Sequence, residues 1–522
     1  MRHLNKDNMR YIFFIVSFIT IISCRESGTE QRPNIVLIMG DDIGFSDLGC
    51  YGSEIKTPNL DKLAKEGIRF SQFYNMAKCE PTRSVMLTGH YKGDDRSVSI
   101  AKLLGQANYT TIMCGKEHFR EWVPKSAYAE NNFDHTFIFW KISEFFIPPE
   151  GKMANPFMLN GRTLSLNEVE HEIDPFYKTD VLTDYALRFL DTAITKRNPF
   201  FLYLPFNNAH YPLQARPDDI QKYRGKYLKG WDIIRQERYD KLVEMGILDA
   251  RYALSPPEGN INKFRGHPEG DEEIREKIPL YRPWDTLSEQ EKDDLDLEMA
   301  VFAAMVHRLD INVGRIVTYL EDKGIRDNTL ILYLSDNGSC PYDSNRDFEH
   351  PPGGPESYRT LCAAWANVGN TPFRYFKQFG HAGGANTHFI VSWPDKIQNV
   401  GSITHQPGHV VDIFPTILEI MNASYPEQIN GNPTLQLDGQ SLVPVFLGEE
   451  RQQPEYFVSG HTERFRMYRE GAWKIVRANE GEWELFNMIE DRTELNNLAK
   501  ERPDVVDQLL SNYEEWKSRL PR

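Results

Sequence analysis

Apolar runs of strand length recur along the chain, and each stops on polar residues. NIVLIM, after Pro33, ends in Gly-Asp-Asp; TTIMCGK ends in a lysine; NPFFLYLPFNNAH ends in asparagines and a histidine; NTLILYLSDNG, near position 330, ends in Ser-Asp-Asn. Continuous apolar runs of this length suit strands buried on both faces. IRFSQFYN reads as a further strand, and TPNLDKLAKEG as a helix with Thr57 as N-cap, Pro58 in its first turn and Gly67 past its end. TDVLTDYALRFLDTA and MAVFAAMVHRLDINVGRIVTYLEDKG carry helical patterns. Strands alternating with helices predict an α/β fold, a large mixed and mostly parallel sheet flanked by helices. Ligands gather at the carboxyl ends of strands in such sheets, so the polar run ends predict one site built from several of them.

Two regions interrupt the alternation. From Gln214 to Asp296 the chain is charged and shows little clean periodicity, and CPYDSNRDFEHPPGGPESYRT reads as a long loop. After Gly448 short strands around YFVSGHTERFRMYREGAWKIVRANEGEWELFN precede the helical tail RPDVVDQLLSNYEEWKSRL. The expected organisation is a leader at 1–24, a catalytic domain at 33–448 and a small α+β subdomain at 449–522. The leader joins the basic MRHLNKDNMR to the apolar YIFFIVSFITIIS and then Cys24. That order is the pattern of a secretory signal, and the apolar run is short for a membrane span. Ile-Ile-Ser-Cys resembles a bacterial lipobox with isoleucine in place of the usual leucine, which predicts export to the periplasm or cell surface and a lipid anchor at Cys24.

Length and composition change this picture little: 522 residues with 40% hydrophobic residues allow a large packed core. Charge changes it more. A formal net charge of -15 argues against a nucleic-acid partner and requires that any anionic substrate be met by a local cationic pocket. The six cysteines show no CxxC pair, so a zinc site is not expected. Export would permit some of them to pair, but most read as small buried hydrophobes.

CEPTRSVMLTG, from Cys79 to Gly89, carries the most specific chemistry. Pro81 and Thr82 suit a first helical turn, which puts Cys79 where exposed N–H groups favour anions and Arg83 one turn above it. A cysteine in that field is a candidate nucleophile. Asp41 and Asp42 close the first strand, and Asp336 and Asn337 close another. Hard oxygen ligands without histidine or cysteine partners suit Ca²⁺ or Mg²⁺ better than zinc.

CEPTRSVMLTG resembles the C-x-P-x-R-x-x-x-L-T-G signature of type I sulfatases, of the alkaline-phosphatase-like superfamily, in which the cysteine is oxidised to formylglycine. The other motifs follow in that family's order: PNIVLIMGDDIGFSDLGCYG and LILYLSDNG resemble its metal motifs, CGKEHF its Gly-Lys-x-His, NNAHYPL its substrate-facing histidine segment and NTPFRYFKQFGHAGG its lysine segment. The resemblance implies Ca²⁺ on Asp41, Asp42, Asp336 and Asn337, and catalytic roles for Cys79, Arg83, Lys116, His118, His210 and Lys377. Hydrated formylglycine has two hydroxyls, one to attack sulfur and one to expel sulfate later. Arg83 would hold this diol, His118 would deprotonate it, and His210 or Lys377 would protonate the departing alcohol. A formylglycine-generating enzyme is the implied maturation partner, and a sulfated polysaccharide or oligosaccharide the implied substrate. Departures are Ala209 before His210, where proline is usual, and Ala382 after His381, where glutamate is usual and whose loss predicts an uncharged neighbour for Lys377. Trp365 and Tyr375 are candidates to face substrate, whereas His171, His307 and His350 match no motif. A phosphodiesterase or phosphonate monoester hydrolase of the same superfamily, or a non-catalytic glycan-binding lipoprotein, are the alternative readings.

Overall fold

In this computed structural model the first strand sets the architecture. Asn34–Gly40 (β1) is apolar and buried from Ile35 onward, and its alternate side chains enter two different cores: Val36 and Ile38 lie on one face, Ile35, Leu37 and Met39 on the other. Only a strand covered by helices on both sides can bury every residue this way. Residues 32–521 are described, apart from 121–122, 124–127, 142–143, 258–281, 342–348, 430, 461–464 and 479–480, so the leader and Cys24 lie outside them.

The other strands of the main sheet are Ile68–Phe70 (β2), Thr110–Lys116 (β3), His135–Phe139 (β4), Met158–Leu159 (β5), Arg162–Thr163 (β6), Phe200–Pro205 (β7), Thr329–Ser335 (β8), Phe389–Ser392 (β9) and Ser402–Thr404 (β10). They run in the order β10-β2-β9-β8-β1-β7-β3-β4-β5-β6. The central strands β8, β1, β7, β3 and β4 are parallel, while β9 and the β5–β6 hairpin bring antiparallel pairs at the flanks. This is the mixed, mostly parallel sheet that the apolar runs predict.

Pro58–Lys65 (α1) is flanked by Thr57, whose hydroxyl bonds to Asp61 Oδ1 at 2.9 Å and accepts from Gly49 N at 2.8 Å instead of capping the helix. Cys79–Thr88 (α2) starts on the cysteine and ends on Gly89, whose φ of 72° is the left-handed cap that explains the Leu-Thr-Gly of the motif. Lys178–Thr195 (α3) and Glu289–Asp322 (α5) cover one face with α1. Three expectations need correction. IRFSQFYN is not one strand but breaks after Phe70, because Phe73–Tyr74 pairs with Gly408–His409 in a separate small sheet. The long helix starts ten residues ahead of its apolar pattern, at a capping box of Ser288 and Glu291. The charged insert also holds a regular helix, Trp231–Glu244 (α4).

The C-terminal region forms a four-stranded antiparallel sheet, Phe457–Ser459 (β11), Met467–Glu470 (β12), Trp473–Val476 (β13) and Glu484–Asn487 (β14), with helix Pro503–Ser518 (α6). Leu509, Tyr513 and Trp516 of α6 join the same core as α2. Cys50, Cys79, Cys114, Cys340 and Cys362 are buried, as small hydrophobes would be.

Candidate active site

Register brings the two acidic pairs together. β1 and β8 are parallel with Gly40 opposite Ser335, so Asp41-Asp42 and Asp336-Asn337 leave the sheet side by side. Asn337 Nδ2 donates to Asp42 Oδ1 at 2.7 Å, and Asp42 N donates to Asp336 Oδ1 at 3.4 Å. Lys116 ends β3 with its Nζ 2.5 Å from Asp41 Oδ2, and Lys377 Nζ reaches Asp42 Oδ1 at 2.5 Å. His210, just beyond β7, places Nε2 3.6 Å from Asp42 Oδ2; its Nδ1 donates to Tyr211 O at 2.7 Å, which leaves Nε2 the lone pair of the neutral ring. From α2, Arg83 grips Asp336 Oδ2 through Nε at 3.1 Å and Nη2 at 2.6 Å, and Thr82 Oγ1 donates to Asp336 O at 2.7 Å. Cys79 Sγ lies within 4.8 Å of carboxylate oxygens of Asp41 and Asp336. His118 binds Glu80 Oε1 through Nε2 at 2.8 Å. All ten residues singled out in the sequence thus converge on one buried cluster. Asp42 at φ 62° and His118 at φ 36° adopt left-handed backbone, a strained conformation typical of functional sites.

Burial and crowding set the electrostatics. Burial alone would raise Asp41, but Lys116, His210 and Arg83 hold its carboxyl well below the usual range. Asp42 is likewise held down, against burial, chiefly by Lys377. Asp336 is instead pushed up to about 7 by burial and then by the charge of Asp41. Burial, then Lys116, lowers His118 to about 3, and burial lowers His210 to about 4. The Cys79 thiol rises to about 11 for the same reason, so an unmodified thiol here is a poor thiolate.

Two observations bear on a cation. Asp41 Oδ1, Asp42 Oδ2 and Asn337 Oδ1 are buried oxygens that accept no hydrogen bond. Each such atom costs about 1–3 kcal/mol unless something satisfies it, and a hard divalent cation with oxygen ligands satisfies all three. Among the described residues, three carboxylates also face three permanent cations, Arg83, Lys116 and Lys377. A divalent ion would leave the cluster net positive, as an anionic ester requires. The residues present therefore fit Ca²⁺.

Residues 33–423 match the Sulfatase family model, and residues 372–518 match the model described as N-sulphoglucosamine sulphohydrolase, C-terminal. The chain belongs to the sulfatase family. It is 29% identical over 458 residues to the arylsulfatase of Klebsiella aerogenes, covering 80% of this chain and 92% of that one. Identity to the N-acetylglucosamine-6-O-sulfatase of Bacteroides thetaiotaomicron is 26% over 487 residues, covering 84% and 77%. Among solved structures, Ps i-CgsB in complex with k-i-k-neocarrahexaose aligns over 93% of each chain with a TM-score of 0.64 and 24% identity, a likeness of fold. As a member of this family the protein is a sulfuric ester hydrolase.

Sequence reasoning missed three carboxylates of this sulfatase. Glu80 lies inside the cysteine motif, and its contact with His118 was detectable only as an acid in an otherwise unassigned position. Glu484 and Glu494 come from the C-terminal subdomain. Glu484 Oε1 sits 3.1 Å from His381 Nε2, and Glu494 Oε2 accepts from Ala382 N at 2.9 Å while its other oxygen pairs with Lys474. Position 382 is uncharged, and the carboxylates that reach His381 and Ala382 arrive from a distant part of the chain, while Lys377 itself pairs with Asp42. Trp365 and Tyr375, the two aromatic candidates, are both buried. Trp365 is fully buried, with Nε1 donating to Leu295 O at 2.9 Å among Tyr227, Trp231 and Trp284. Tyr375 stacks on Phe379, ring centroids 4.5 Å apart.

Proposed function

We propose that this sulfatase removes sulfate from sulfated carbohydrates, using formylglycine made from Cys79 and Ca²⁺ held by Asp41, Asp42, Asp336 and Asn337. The observation that carries the reading is the convergence, beside the ends of β1, β3 and β8, of three unsatisfied oxygens, three permanent cations and the motif cysteine. The relative named N-acetylglucosamine-6-O-sulfatase, and a fold neighbour solved in complex with k-i-k-neocarrahexaose, support a glycan as substrate.

When bound, the ion supplies Lewis-acid neutralisation of charge on the ester oxygens. Lys116 and Lys377 add fixed positive charge around the same group. Arg83, held in place by Asp336, fixes the group at position 79. His118 commits Nε2 to Glu80, which leaves its buried, unpartnered Nδ1 as the lone pair that takes a proton. His210 is neutral with its Nε2 lone pair inward, whereas Lys377 carries its proton, held by Asp42; Lys377 is therefore the donor to the departing alcohol. Glu80 positions His118 and touches no reacting atom.

Natively matured protein tests this reading when incubated with a panel of sulfated oligosaccharides and their phosphorylated counterparts, with released anions counted by ion chromatography. Sulfate release is expected. Faster phosphate release would favour the phosphodiesterase alternative, and no release from protein with confirmed formylglycine would favour a glycan-binding role. Export and lipidation at Cys24 belong to the same proposal: labelled palmitate should appear on the wild type and be absent from Cys24→Ala.

A further inference from the structure

A second cluster of cations lies where the main sheet, the segment around Tyr252 and the C-terminal subdomain meet. There Arg251, His405, Arg469 and Arg492 line a cavity of about 450 Å³, together with Tyr252 and Phe457. Arg469 and Arg492 are only 6% and 5% exposed. Arg469 donates to Tyr74 Oη at 2.7 Å, Gln72 Oε1 at 3.0 Å and Gly471 O at 3.1 Å. Arg492 donates to Ser71 O, approaches Ser71 Oγ at 3.4 Å and lies 5.8 Å over the Tyr252 ring. Every one of these acceptors is neutral. The acid that lines the cavity, Asp249, pairs instead with the half-exposed Arg251 at 3.5 Å.

Buried guanidiniums ordinarily meet carboxylates, as Arg83 meets Asp336, because desolvating a positive charge without a partner is costly. Two of them beside one cavity repel each other as well. Burial first, with Arg469 adding to it, pushes Arg492 down to about 10, and burial and then Arg492 lower His405. The chain as a whole carries a formal charge of -15, so this excess of positive charge is local. Its geometry also suits one class of anion: planar forks of N–H donors match a tetrahedral oxyanion, and the ring of Tyr252 and the face of Phe457 offer an apolar wall to the carbon skeleton that carries it.

We propose that this cavity is a second oxyanion site, which binds a sulfate group outside the active site. None of its lining residues belongs to the catalytic cluster. The choice of sulfate rests on the function proposed above, whereas the need for an anion rests on the unpaired guanidiniums alone. The group has two sources: a sulfate ester on another residue of a polysulfated glycan, which would make the cavity an anchoring subsite, or the free sulfate that the reaction releases.

Equilibrium dialysis of the full chain against labelled inorganic sulfate tests the site, with the Cys79→Ala variant used so that no turnover occurs. Two equivalents per chain are expected, falling to one in Cys79→Ala/Arg492→Met. Because Arg492 is buried, Arg251→Glu at the rim is the second variant, with second-site affinity weakened on the order of tenfold. Aryl sulfate hydrolysis by otherwise wild-type protein carrying either change should stay at the parental rate. Competition by glucose 6-sulfate at the second equivalent would identify the glycan as the source, and competition by inorganic sulfate alone would identify the product. A single equivalent in Cys79→Ala, or two that survive both variants, overturns the proposal. Failure of the functional reading is separate, since it would appear as wild-type protein that releases no sulfate.

Discussion

The catalytic cluster and the cavity around Arg492 both bury charge, and they are out of balance in opposite senses. At the strand ends, acids and bases are matched in number, yet carboxylate and amide oxygens remain without donors. At the subdomain junction, the buried guanidiniums of Arg469 and Arg492 are hydrogen-bonded, among the described residues, to neutral acceptors. On the proposed readings, a cation and then an anionic ester complete one arrangement, and an anion completes the other. Buried charge left uncompensated by the chain is thus a guide to what the chain binds, because folding alone does not repay its desolvation.

The sharpest way to break the comparison is to remove one arginine from each place. Arg83→Met strands Asp336 in the interior and should cost about 3–5 kcal/mol in urea unfolding. Arg492→Met removes a charge that has no partner to strand, so its cost should stay near 1 kcal/mol. Equal costs would show that Arg492 is compensated within the fold. Next in size is the cation: chelation should lower the melting temperature and abolish activity, and Ca²⁺ at a hundredfold excess over Kd should restore about 2.7 kcal/mol. A melting curve indifferent to both chelator and Ca²⁺ would remove the ion from the account.

Smaller effects sharpen the picture further. Glu80→Ala should lower kcat about 10–100-fold with little change in KM, and Glu80→Gln, which keeps an acceptor for His118 Nε2, should recover part of that loss. If the two variants matched, Glu80 would not be positioning the imidazole. A buried neutral group outside both places gives the last test. His388 is fully buried and lowered to about 3 by desolvation, below its unfolded value, so the unfolded chain binds the extra proton between these values. Stability should therefore fall as pH drops below about 6.5, and His388→Gln should flatten that slope by about 1.4 kcal/mol per pH unit. An unchanged slope would assign the acid limb to other groups.

Much of this was legible in local sequence. The apolar runs of β1, β3, β7 and β8 announced strands buried on both sides, and the polar residues closing them announced the site, because strand polarity places those ends together. Cys79 and Arg83 were legible through helix geometry. Contacts between segments far apart in sequence were not. Glu484 and Glu494 reach His381 and Ala382 from more than 100 residues away, and Arg469 and Arg492 meet across a cavity that no spacing encodes. Trp365 became a candidate only by lying near Lys377 in sequence; in space it packs in a tryptophan cluster with Trp231 of α4 and Trp284.

The most direct test of the central claim is the mass of the tryptic peptide Cys79 to Arg83 from protein made in its native host or in one that matures sulfatase cysteines. The account predicts an aldehyde in place of the thiol, in a peptide whose modification tracks sulfate release. An unmodified cysteine in fully active protein would contradict it.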